Sequence, residues 1–562
     1  MHSHKILRVA SLQTQLQNTL SQELKISKIL AQVLINRGIT DIAEAARFID
    51  VKTEHLLNPF LFHAMRNAVT RIKEAKDKKE KVMIFGDYDV DGLTSVALLK
   101  QCLQKTGVET IHYIPHRVND GYGLTKSIAR TAKERNIKLL ITVDCGIANC
   151  REIEELKRNS VDTIITDHHE PQGSDLPAAI SIINPKIKDS GYKFRELAGV
   201  GVVYKLCQGL TNSKLLDELD LVALGTVADV VSLTGENRVI AKEGLSRLSK
   251  TKRPGLRALI EEAGIRNKIF TSTSVSFILA PRINASGRMG SAEVSLNLLL
   301  SSDLKEARAL AGILEQHNRD RQKIESKIME EAQDIINKEV NFKEHKVIVV
   351  AKEDWHQGVL GIVAAKLADR FYRPAIVISL DEEICKGSGR SIRNFHLFQA
   401  LGACRQFLEA FGGHAHAAGL TISRDSIKGF RDSINKLAHE KMSLEDLLPG
   451  LDIDMELSLA DLTERLAEEL EKLEPFGTAN PEPLFYTRGL KLKGEPQKLA
   501  RQTLKFWVTD GSNTVQVIGF GMESLHTSLI ESKTIDIVYS LRLDNWLDSS
   551  SIILEARDIF FR

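Results

Sequence analysis

The sequence is poor in cysteine, proline and aromatic residues, and it has no long apolar run. Only 6 Cys and 13 Pro occur among 562 residues, and aromatic residues make up 6%. Few cysteines, none in a C-x-x-C pair, exclude the framework of a disulfide-rich secreted protein. No apolar run approaches the roughly 18 residues that cross a membrane, and the N-terminus lacks the apolar stretch of a signal peptide. We therefore expect a multidomain protein of the cytoplasm, without membrane association.

The sequence also has almost no net charge. Its 76 Lys and Arg face 74 Asp and Glu, which gives a formal net charge of +2. This balance excludes a protein that holds nucleic acid by bulk positive charge, so any such binding must take place in a groove. The charge is unevenly distributed: residues 446–562 carry 12 basic and 20 acidic side chains, net −8, which leaves +10 for residues 1–445. A polyanion is therefore expected to bind mainly before residue 446, with a strong salt dependence.

The apolar pattern changes three times along the chain. Short β-branched runs at residues 82–85, 139–143, 163–167 and 180–184 alternate with helical patterns, which predicts a parallel sheet wound with helices. Residues 303–338 contain no Pro and predict a long, largely exposed helix that bridges two domains. A second αβ pattern follows, and alternating runs after about residue 445 predict a small all-β barrel or sandwich.

The strongest motif is FGDYDVDGLTS at residues 85–95. In it, Asp87, Asp89 and Asp91 alternate between a predicted strand and a predicted helix. Carboxylates so close together repel one another unless cations lie between them, so the motif indicates a metal site. An EF-hand calcium loop opens in a similar way, but it needs a bidentate Glu where this sequence has Leu98.

Acidic residues recur at three further predicted strand ends. Asp144 follows one run, the segment TIITDHH ends in Asp167, His168 and His169, and Asp229 follows the apolar segment LVALGTVA. Taken alone, such an Asp is more often a helix cap or a turn residue, and a His pair is more often structural. The carboxyl ends of parallel strands meet at one edge of a sheet, however. We therefore expect these residues to converge with the three aspartates of the first motif.

The residue types indicate the metal and the reaction. Carboxylates combined with imidazole favour Mn²⁺ or Mg²⁺, whereas thiolate-bound zinc would need a Cys spacing that is absent. Two such ions about 3.5–4 Å apart activate a water and stabilise the leaving oxygen of a phosphoester. They also invert the negative field of the aspartates, which would otherwise repel an anionic substrate. We predict two divalent cations, Mn²⁺ or Mg²⁺, as cofactors and metal-assisted phosphoester hydrolysis as the reaction class.

The series DYDVDG, VDCG, DHH and VADVV resembles the DHH phosphoesterase superfamily. Further motifs resemble its single-strand-specific DNA exonucleases, the RecJ family, among them LAPRINASGRMG (279–290), GSGRSIR (387–393), FGGHAHAAG (411–419) and PFGTANPEPLF (475–485). The implied fold is α/β multidomain, with a parallel-sheet DHH domain and a smaller α/β DHHA1-type domain joined by a long helix, plus a C-terminal all-β OB-like domain. The expected boundaries are an N-terminal helical arm at 1–55, the DHH catalytic domain at 56–300, the connecting helix at 301–340, the DHHA1-type domain at 341–445 and the OB-like domain at 446–562.

The resemblance also implies roles for individual residues. The implied metal ligands are Asp87, Asp89, Asp91, Asp144, His168 and Asp229. All of these except Asp87 also belong to the implied catalytic set, which His169 completes beside the scissile phosphate. The implied DNA contacts are Arg117, Arg282, Asn284, Arg288, Ser388, Arg390 and His414. Arginine forks and Gly-flanked backbone suit phosphate oxygens, although Arg117 and Arg390 would look the same in ordinary surface ion pairs.

The function implied by the resemblance is a metal-dependent exonuclease. It would hydrolyse single-stranded DNA from the 5′ end to mononucleotides, in DNA repair and recombination, by a two-metal mechanism. The alternative is a DHH-family phosphoesterase acting on short oligonucleotides or cyclic dinucleotides. A non-catalytic nucleic-acid-binding scaffold is a third hypothesis, which the filled acidic positions disfavour.

The resemblance further implies single-stranded DNA, a single-strand-binding protein and a helicase as partners of a monomeric chain. In the OB-like domain, four aromatic residues are candidates for stacking on bases, although core packing is the commoner role of such residues in small barrels. They are Phe506, Trp507, Phe520 and Tyr539.

Overall fold

The computed structural model describes residues 5–117, 120–121, 123–171, 173, 175–266, 268–544 and 551–562. The expected fold class is confirmed, because a parallel-sheet domain, a long helix, a smaller α/β domain and a C-terminal β domain follow one another along the chain. Within the described residues, no helix is both long enough and apolar enough to cross a membrane.

The N-terminal segment contains one strand and three helices: β1 (Ile6–Val9), α1 (Thr14–Leu24), α2 (Lys28–Asn36) and α3 (Ile42–Ile49). These elements do not stand apart from the rest of the molecule. Leu30 and Leu34 of α2 lie in the same buried core as Leu466 and Leu473 of the C-terminal domain. Strand β1 also pairs in parallel with residues 450–453. The two ends of the sequence therefore pack as one unit.

The first half of the DHH domain alternates strands and helices. Its elements are α4 (Met65–Asp77), β2 (Lys81–Gly86), α5 (Val90–Thr106), β3 (Thr110–Tyr113), α6 (Ile128–Glu134), β4 (Ile137–Val143), α7 (Cys150–Arg158), β5 (Asp162–Thr166) and β6 (Ser181–Ile183). All five strands are parallel, in the order β3-β2-β4-β5-β6. Strand β2 is buried on both faces, since Val82 and Ile84 enter one core and Met83 and Phe85 enter another. This burial explains its continuous apolar run.

The four predicted strands are present as β2, β4, β5 and β6, with ends shifted by one or two residues. Strand β3 was absent from the prediction. It lies at the edge of the sheet and its four residues are only half-buried. Its sequence, TIHY, therefore lacks the continuous apolar character by which the inner strands were recognised.

The second half of the DHH domain is helical and leads into the long helix. Its helices are α8 (Gly199–Thr211), α9 (Leu219–Ala228), α10 (Gly235–Leu248), α11 (Pro254–Glu262), α12 (Ser272–Ser274), α13 (Ala280–Met289), α14 (Glu293–Leu300) and α15 (Leu304–Glu339). Helix α15 begins where the Asp303 side chain accepts a hydrogen bond from the backbone N–H of Glu306, at 2.8 Å. Ala307 and Ala311 on its first turns belong to the DHH core, and Ile328 and Ala332 near its end belong to the next domain. The helix is thus a rigid bridge with one buried stripe.

The second α/β domain has a mixed sheet. Its elements are β7 (Ile348–Glu353), α16 (Leu360–Phe371), β8 (Ala375–Leu380), β9 (Ile384–Arg390), α17 (Leu397–Ala403), β10 (Leu408–Gly413), β11 (Ala417–Ser423) and α18 (Ser426–Lys441). The strand order is β10-β11-β9-β8-β7, and only β7 and β8 run parallel.

The C-terminal domain is a closed β structure with two short helices. Its elements are β12 (Gly450–Ile453), β13 (Met455–Glu456), α19 (Glu464–Glu471), β14 (Phe485–Leu492), β15 (Gln497–Leu499), β16 (Thr503–Thr509), β17 (Thr514–Gly519), α20 (His526–Glu531), β18 (Ile535–Asp544) and β19 (Ser551–Phe561). The order β13-β14-β18-β19-β17-β16-β15 is closed by an additional pairing of β14 with β16. Phe506 and Tyr539 fill the core of this barrel, whereas Trp507 and Phe520 are exposed.

Candidate metal centre

The carboxyl edge of the DHH sheet gathers the predicted acidic residues. Asp87 follows β2, Asp144 follows β4, and Asp167 with His168 follows β5, and these three strands are neighbours in the sheet. Asp144 adopts a left-handed backbone conformation, with φ of 60°, which is unfavourable for a residue with a Cβ.

Asp229 does not follow a strand, so the sequence interpretation of this position is wrong. It is the C-terminal cap of α9, a helix whose residues are buried on all sides. A short apolar run has no periodicity that separates a buried helix from a buried strand, which explains the error. The Asp229 carboxylate nevertheless reaches the sheet edge, where its Oδ2 lies 3.5 Å from Nε2 of His168.

Asp91 links the sheet edge to the N-terminus of α8. Its two carboxylate oxygens accept hydrogen bonds from the backbone N–H groups of Gly199, at 2.6 Å, and Val200, at 2.8 Å. Gly199 is required here, because a Cβ at this position would lie 2.6 Å from Oδ1 of Asp144. Asp89 caps α5 by accepting a hydrogen bond from the N–H of Gly92, at 3.1 Å. Both aspartates therefore stabilise helix termini while they face the cluster.

His168 lies at the centre of the cluster. Its Nε2 is 3.1 Å from Asp144 Oδ1, 3.5 Å from Asp229 Oδ2 and 3.8 Å from Asp91 Oδ2. This buried nitrogen has no hydrogen-bond partner among the described residues. A buried polar atom in this state is costly unless another group satisfies it, and a cation between the three carboxylates would do so.

The candidate ligand atoms form three groups. Two of these groups share no residue, so each of the two can bind one cation. Asp91, His168 and Asp229 offer atoms within 4.8 Å of one another, and so do Asp87, Asp89 and Asp144. A further group joins Asp144 and His168 to His169. The carboxylate and imidazole donors suit Mn²⁺ or Mg²⁺, so the residues present fit two divalent cations.

The electrostatics of the clustered acids support this fit. Burial raises the pKa of Asp91 to about 7, and the negative charge of Asp89 acts in the same direction. Burial and neighbouring carboxylates also raise the pKa values of Asp87, Asp144 and Asp229. Burial lowers the pKa of His168 to about 3, with the charge of His169 adding to the effect, so its imidazole is neutral and suited to metal binding. The carboxylates need positive charge to remain ionised together.

Asp167 has a different role from the other aspartates. It accepts hydrogen bonds from the backbone N–H groups of His168, His169 and Ile147, at 2.7, 3.1 and 2.9 Å. Its Oδ1 also lies 2.8 Å from Nδ1 of His169. Burial would raise the pKa of Asp167, but its bonds and charge interactions with the two histidines outweigh that effect and lower the pKa. Asp167 therefore orients the two histidines.

Three of the predicted DNA-contacting arginines converge on this edge from separate elements. The Arg117 guanidinium lies over the ring of Tyr88, 4.8 Å from its centroid, and Arg288 on α13 donates to the carbonyl of Gly358, at 2.9 Å. Burial lowers the pKa of Arg288 to about 9, and the charges of Arg117, Arg321 and Arg390 add to this effect. Residues 117, 288 and 390 are named below as the arginine cluster.

No carboxylate of the described residues lies within 4.0 Å of a nitrogen of the arginine cluster. The alternative of ordinary surface ion pairs for Arg117 and Arg390 therefore finds no support in the structure. Like charges that share a half-buried cleft are stabilised by an anion, and guanidinium groups suit phosphate. Ser388 is part of the same surface, because a Cβ on Gly361 would lie 3.0 Å from its Oγ and 3.3 Å from Nη2 of Arg390.

The other predicted DNA contacts are placed differently. Arg282 is engaged by α15, since its Nε lies 2.8 Å from Oε2 of Glu315 and its Nη1 donates to the carbonyl of Ile278, at 2.7 Å. Asn284 Oδ1 is buried without a hydrogen-bond partner among the described residues. His414 is exposed in the turn between β10 and β11, where its backbone N–H donates to the carbonyl of Ala417.

The sequence pattern did not identify two residues that lie near the metal centre, Lys186 and Asn184. Burial raises the pKa of Asp229 and the positive charge of Lys186 opposes that rise, whereas at His168 the same charge adds to the lowering of the pKa by burial. Asn184 is fully buried and donates to the backbone carbonyl of His169, at 2.9 Å. Both lie in the segment NPK after β6, and their position at the carboxyl end of a predicted strand was the signal that could have identified them.

Comparisons with known proteins agree with this architecture. Residues 81–226 match the DHH family N-terminal domain, residues 344–440 the DHHA1 domain and residues 453–558 the RecJ OB domain. The chain is 41% identical over 544 residues to the single-stranded-DNA-specific exonuclease RecJ of Bacillus subtilis (strain 168), a match that covers 96% of this chain and 69% of the relative. It is 34% identical over 552 residues to the enzyme of the same name from Dickeya dadantii (strain 3937), covering 94% of this chain and 95% of the relative.

The fold is also similar to a solved structure that contains a metal. The crystal structure of RecJ in complex with Mn²⁺ from Thermus thermophilus matches with a TM-score of 0.85 at 29% identity, covering 100% of this chain and 80% of that chain. A second RecJ structure from the same organism, in complex with Mg²⁺, has a TM-score of 0.79. With three family domains in order and relatives above 30% identity over most of both chains, this chain belongs to the RecJ family of single-stranded-DNA-specific exonucleases.

Proposed function

We propose that the chain is a metal-dependent exonuclease that hydrolyses single-stranded DNA from the 5′ end to mononucleotides, in DNA repair and recombination. The observation that carries the proposal is the meeting of two opposite charge clusters, each unfavourable alone. The acidic cluster with His168 fits two cations, and no nitrogen of the arginine cluster beside it lies within ion-pair distance of a carboxylate among the described residues. A phosphodiester between metal ions and guanidinium groups satisfies both.

The proposed ligands of the two cations are Asp87, Asp89, Asp91, Asp144, His168 and Asp229. When bound, the cations supply an activated water and stabilise negative charge on the phosphoester oxygens. The protein's own groups position the substrate. The arginine cluster binds phosphate oxygens, with Ser388 beside it on β9.

His169 is proposed to act next to the scissile phosphate. Burial would lower its pKa, but the hydrogen bond with Asp167 and the charges of Asp167, Asp87 and Asp91 outweigh burial and raise it. The raised pKa favours the imidazolium form. A positive charge held by Asp167 beside the acidic cluster is suited to a phosphate oxygen or to a leaving oxygen that needs a proton.

A groove between the DHH and C-terminal domains offers a path for one strand. It encloses about 940 Å³ and includes Val230, adjacent to Asp229. Ile269 and Phe277 on its DHH side are 89% and 76% exposed, so their apolar surfaces are available to unstacked bases. Such a path supports a long single-stranded substrate over the alternative of short oligonucleotides or cyclic dinucleotides, for which the groove is unnecessary.

The remaining assignments are part of the same proposal. We assign the boundaries 1–55, 56–300, 301–340, 341–445 and 446–562 to the five predicted parts, with residues 1–55 packed on the last part. We place the enzyme in the cytoplasm as a monomer that receives single strands from a helicase and a single-strand-binding protein. Arg282, Asn284 and His414 remain proposed DNA contacts.

The decisive experiment uses single-stranded DNA labelled at either the 5′ or the 3′ end, incubated with the protein and Mn²⁺ or Mg²⁺. The proposal predicts immediate release of the 5′ label as a mononucleotide and late release of the 3′ label, with no release after chelation. Early loss of the 3′ label would overturn the direction. Cleavage of a dinucleotide without cleavage of the long strand would establish the small-substrate alternative. Binding without hydrolysis would establish the scaffold hypothesis.

A further inference from the structure

Three successive polar residues are buried at the start of α10. Glu236 accepts hydrogen bonds from the backbone N–H of Leu57, at 2.8 Å, and from the hydroxyl of Tyr192, at 2.6 Å. Asn237 donates to the carbonyl of Ser232, at 3.0 Å. These two residues bind partners within the DHH domain. The third residue, Arg238, reaches outside it.

Arg238 donates to backbone carbonyls of two other parts of the chain. Its Nε donates to Phe48, at 2.8 Å, its Nη1 to Leu473, at 2.7 Å, and its Nη2 to Lys472, at 2.8 Å. Phe48 lies in the last turn of α3, and residues 472–473 directly follow α19. Carbonyls at helix C-termini lack partners within the helix and carry partial negative charge. One guanidinium therefore caps two helices, one from each end of the sequence.

The charge of Arg238 is balanced by these carbonyls. The side chain is almost fully buried, and no carboxylate of the described residues lies within ion-pair distance of it. Burial lowers its pKa to about 9, and the charge of Arg37 acts in the same direction. The Phe48 ring, 4.0 Å from the guanidinium carbon, adds a cation–π contact. A lysine carries its three N–H donors on a single nitrogen and lacks the planar fork whose separate nitrogens reach the three carbonyls.

Arg238 lies between the metal centre and the C-terminal domain. Helix α10 begins six residues after Asp229. Leu233 lies between them, and its backbone N–H donates to the carbonyl of Thr478, at 2.9 Å. The side chain of Asn480 donates to the carbonyls of Leu473 and Pro475, at 2.8 and 2.9 Å. Residues 472–480, which contain the PFGTAN sequence at 475–480, are thus held against the segment that carries a metal-site residue. We call residues 472–480 the joint segment.

We propose that Arg238 is a positioning residue that fixes the C-terminal domain relative to the metal centre and so adapts the enzyme to long single strands. The inference rests on the proposed function. A long strand in the groove contacts both domains, so its binding depends on their relative placement. A dinucleotide contacts only the metal centre and the arginine cluster, so its hydrolysis does not.

The test compares Arg238→Met and Arg238→Lys with Arg158→Met, a matched change at an exposed arginine on α7. The substrates are a long oligothymidine and the 5′-phosphorylated thymidine dinucleotide, with Mn²⁺. For both Arg238 variants we expect the KM for the long strand to rise about tenfold, equivalent to about 1.4 kcal/mol. We expect the KM for the dinucleotide and the kcat for both substrates to match those of the wild type and of Arg158→Met.

A second variant keeps the inference testable if Arg238→Met does not fold. Asn480→Ala alters the joint segment from the other side and leaves α10 intact, and the same rise in KM for the long strand alone is expected. Equal losses on both substrates with a lowered Tm, or an unchanged KM for the long strand, would overturn the role of Arg238. Inactivity of the wild type on both substrates would refute the proposed function instead.

Discussion

The two α/β domains contribute unequally to one cleft, since the DHH domain carries the acidic edge together with Arg117 and Arg288, and the second domain adds Arg390. The DHH sheet is fully parallel, so the ends of β2, β4 and β5 place acidic residues side by side. The second sheet is mixed and contributes Ser388 and Arg390 from the antiparallel strand β9. Burial acts on both sets in the direction that disfavours charge, since it raises the pKa values of the aspartates and lowers that of Arg390.

The difference shows what the second domain adds to the cleft. The acidic edge needs cations, and the basic surface needs an anion, so a metal-bound phosphate is the ligand that both share. Helix α15 sets the distance between the DHH domain and the second α/β domain, because its two halves belong to the cores of these two domains. The comparison predicts that changes at the acidic edge abolish chemistry, whereas changes at the basic surface weaken binding.

The largest effect is expected at the acidic edge. Asp144→Ala removes a carboxylate next to Nε2 of His168 and common to two of the ligand groups. Loss of metal-assisted charge stabilisation of several kcal/mol lowers kcat about a thousandfold or more. The rate of single-turnover hydrolysis of labelled single-stranded DNA with Mn²⁺ measures this loss of activity. Asp217→Ala, at a fully exposed carboxylate, is the control. Wild-type activity of Asp144→Ala would show that Asp144 does not belong to the metal centre.

A smaller effect is expected when the orientation of the histidines is disturbed. Asp167→Asn keeps the size of the side chain but replaces one accepting oxygen by an NH₂ group, so that the bonds from His169 and the backbone cannot all form. Loss of such an orienting partner costs about 10–100-fold. The kcat with saturating Mn²⁺ is measured beside the Tm. A loss of kcat as large as that of Asp144→Ala would show that Asp167 takes part directly in metal binding or in the chemical step.

At the basic surface, Arg390→Met is expected to act on binding. The KM for single-stranded DNA rises about tenfold and the slope of log affinity against log salt falls by about 0.7, the contribution of one phosphate contact. The matched control is Arg393→Met, because Arg393 lies exposed just beyond β9 and pairs with Asp452. A lowered kcat with an unchanged salt slope would assign Arg390 to the chemical step.

The smallest effect is expected at two exposed aromatic residues of the C-terminal domain, Trp507 and Phe520, which do not line the groove. Deleting this domain would expose the core that it shares with α1–α3, so substitutions are the cleaner test. Changing both Trp507 and Phe520 to Ala is expected to alter affinity for single-stranded DNA at low salt by less than about threefold, below the roughly 1–3 kcal/mol of one base stacked on an aromatic ring. Fluorescence anisotropy measures the affinity. A loss above tenfold would show that these two side chains stack on the bases of the strand.

The sequence by itself determined most of the architecture and of the acidic motif. Inner parallel strands are continuous apolar runs, and the residues after them meet at one edge, so Asp87, Asp144 and His168 were identifiable from local pattern alone. The long helix was equally readable, since 36 residues without proline leave few alternatives.

Only the tertiary structure decided the contacts that cross between elements distant in sequence. The apolar run before Asp229 fits a strand or a buried helix equally well, and packing made it a helix. Glu236 and Arg238 lie in the first turn of α10, yet both side chains are buried because their partners come from residues 48, 57 and 472–473. Local propensity carries no information about such partners. The charge pattern of the cleft and the joint segment therefore emerge only when the distant parts of the chain pack together.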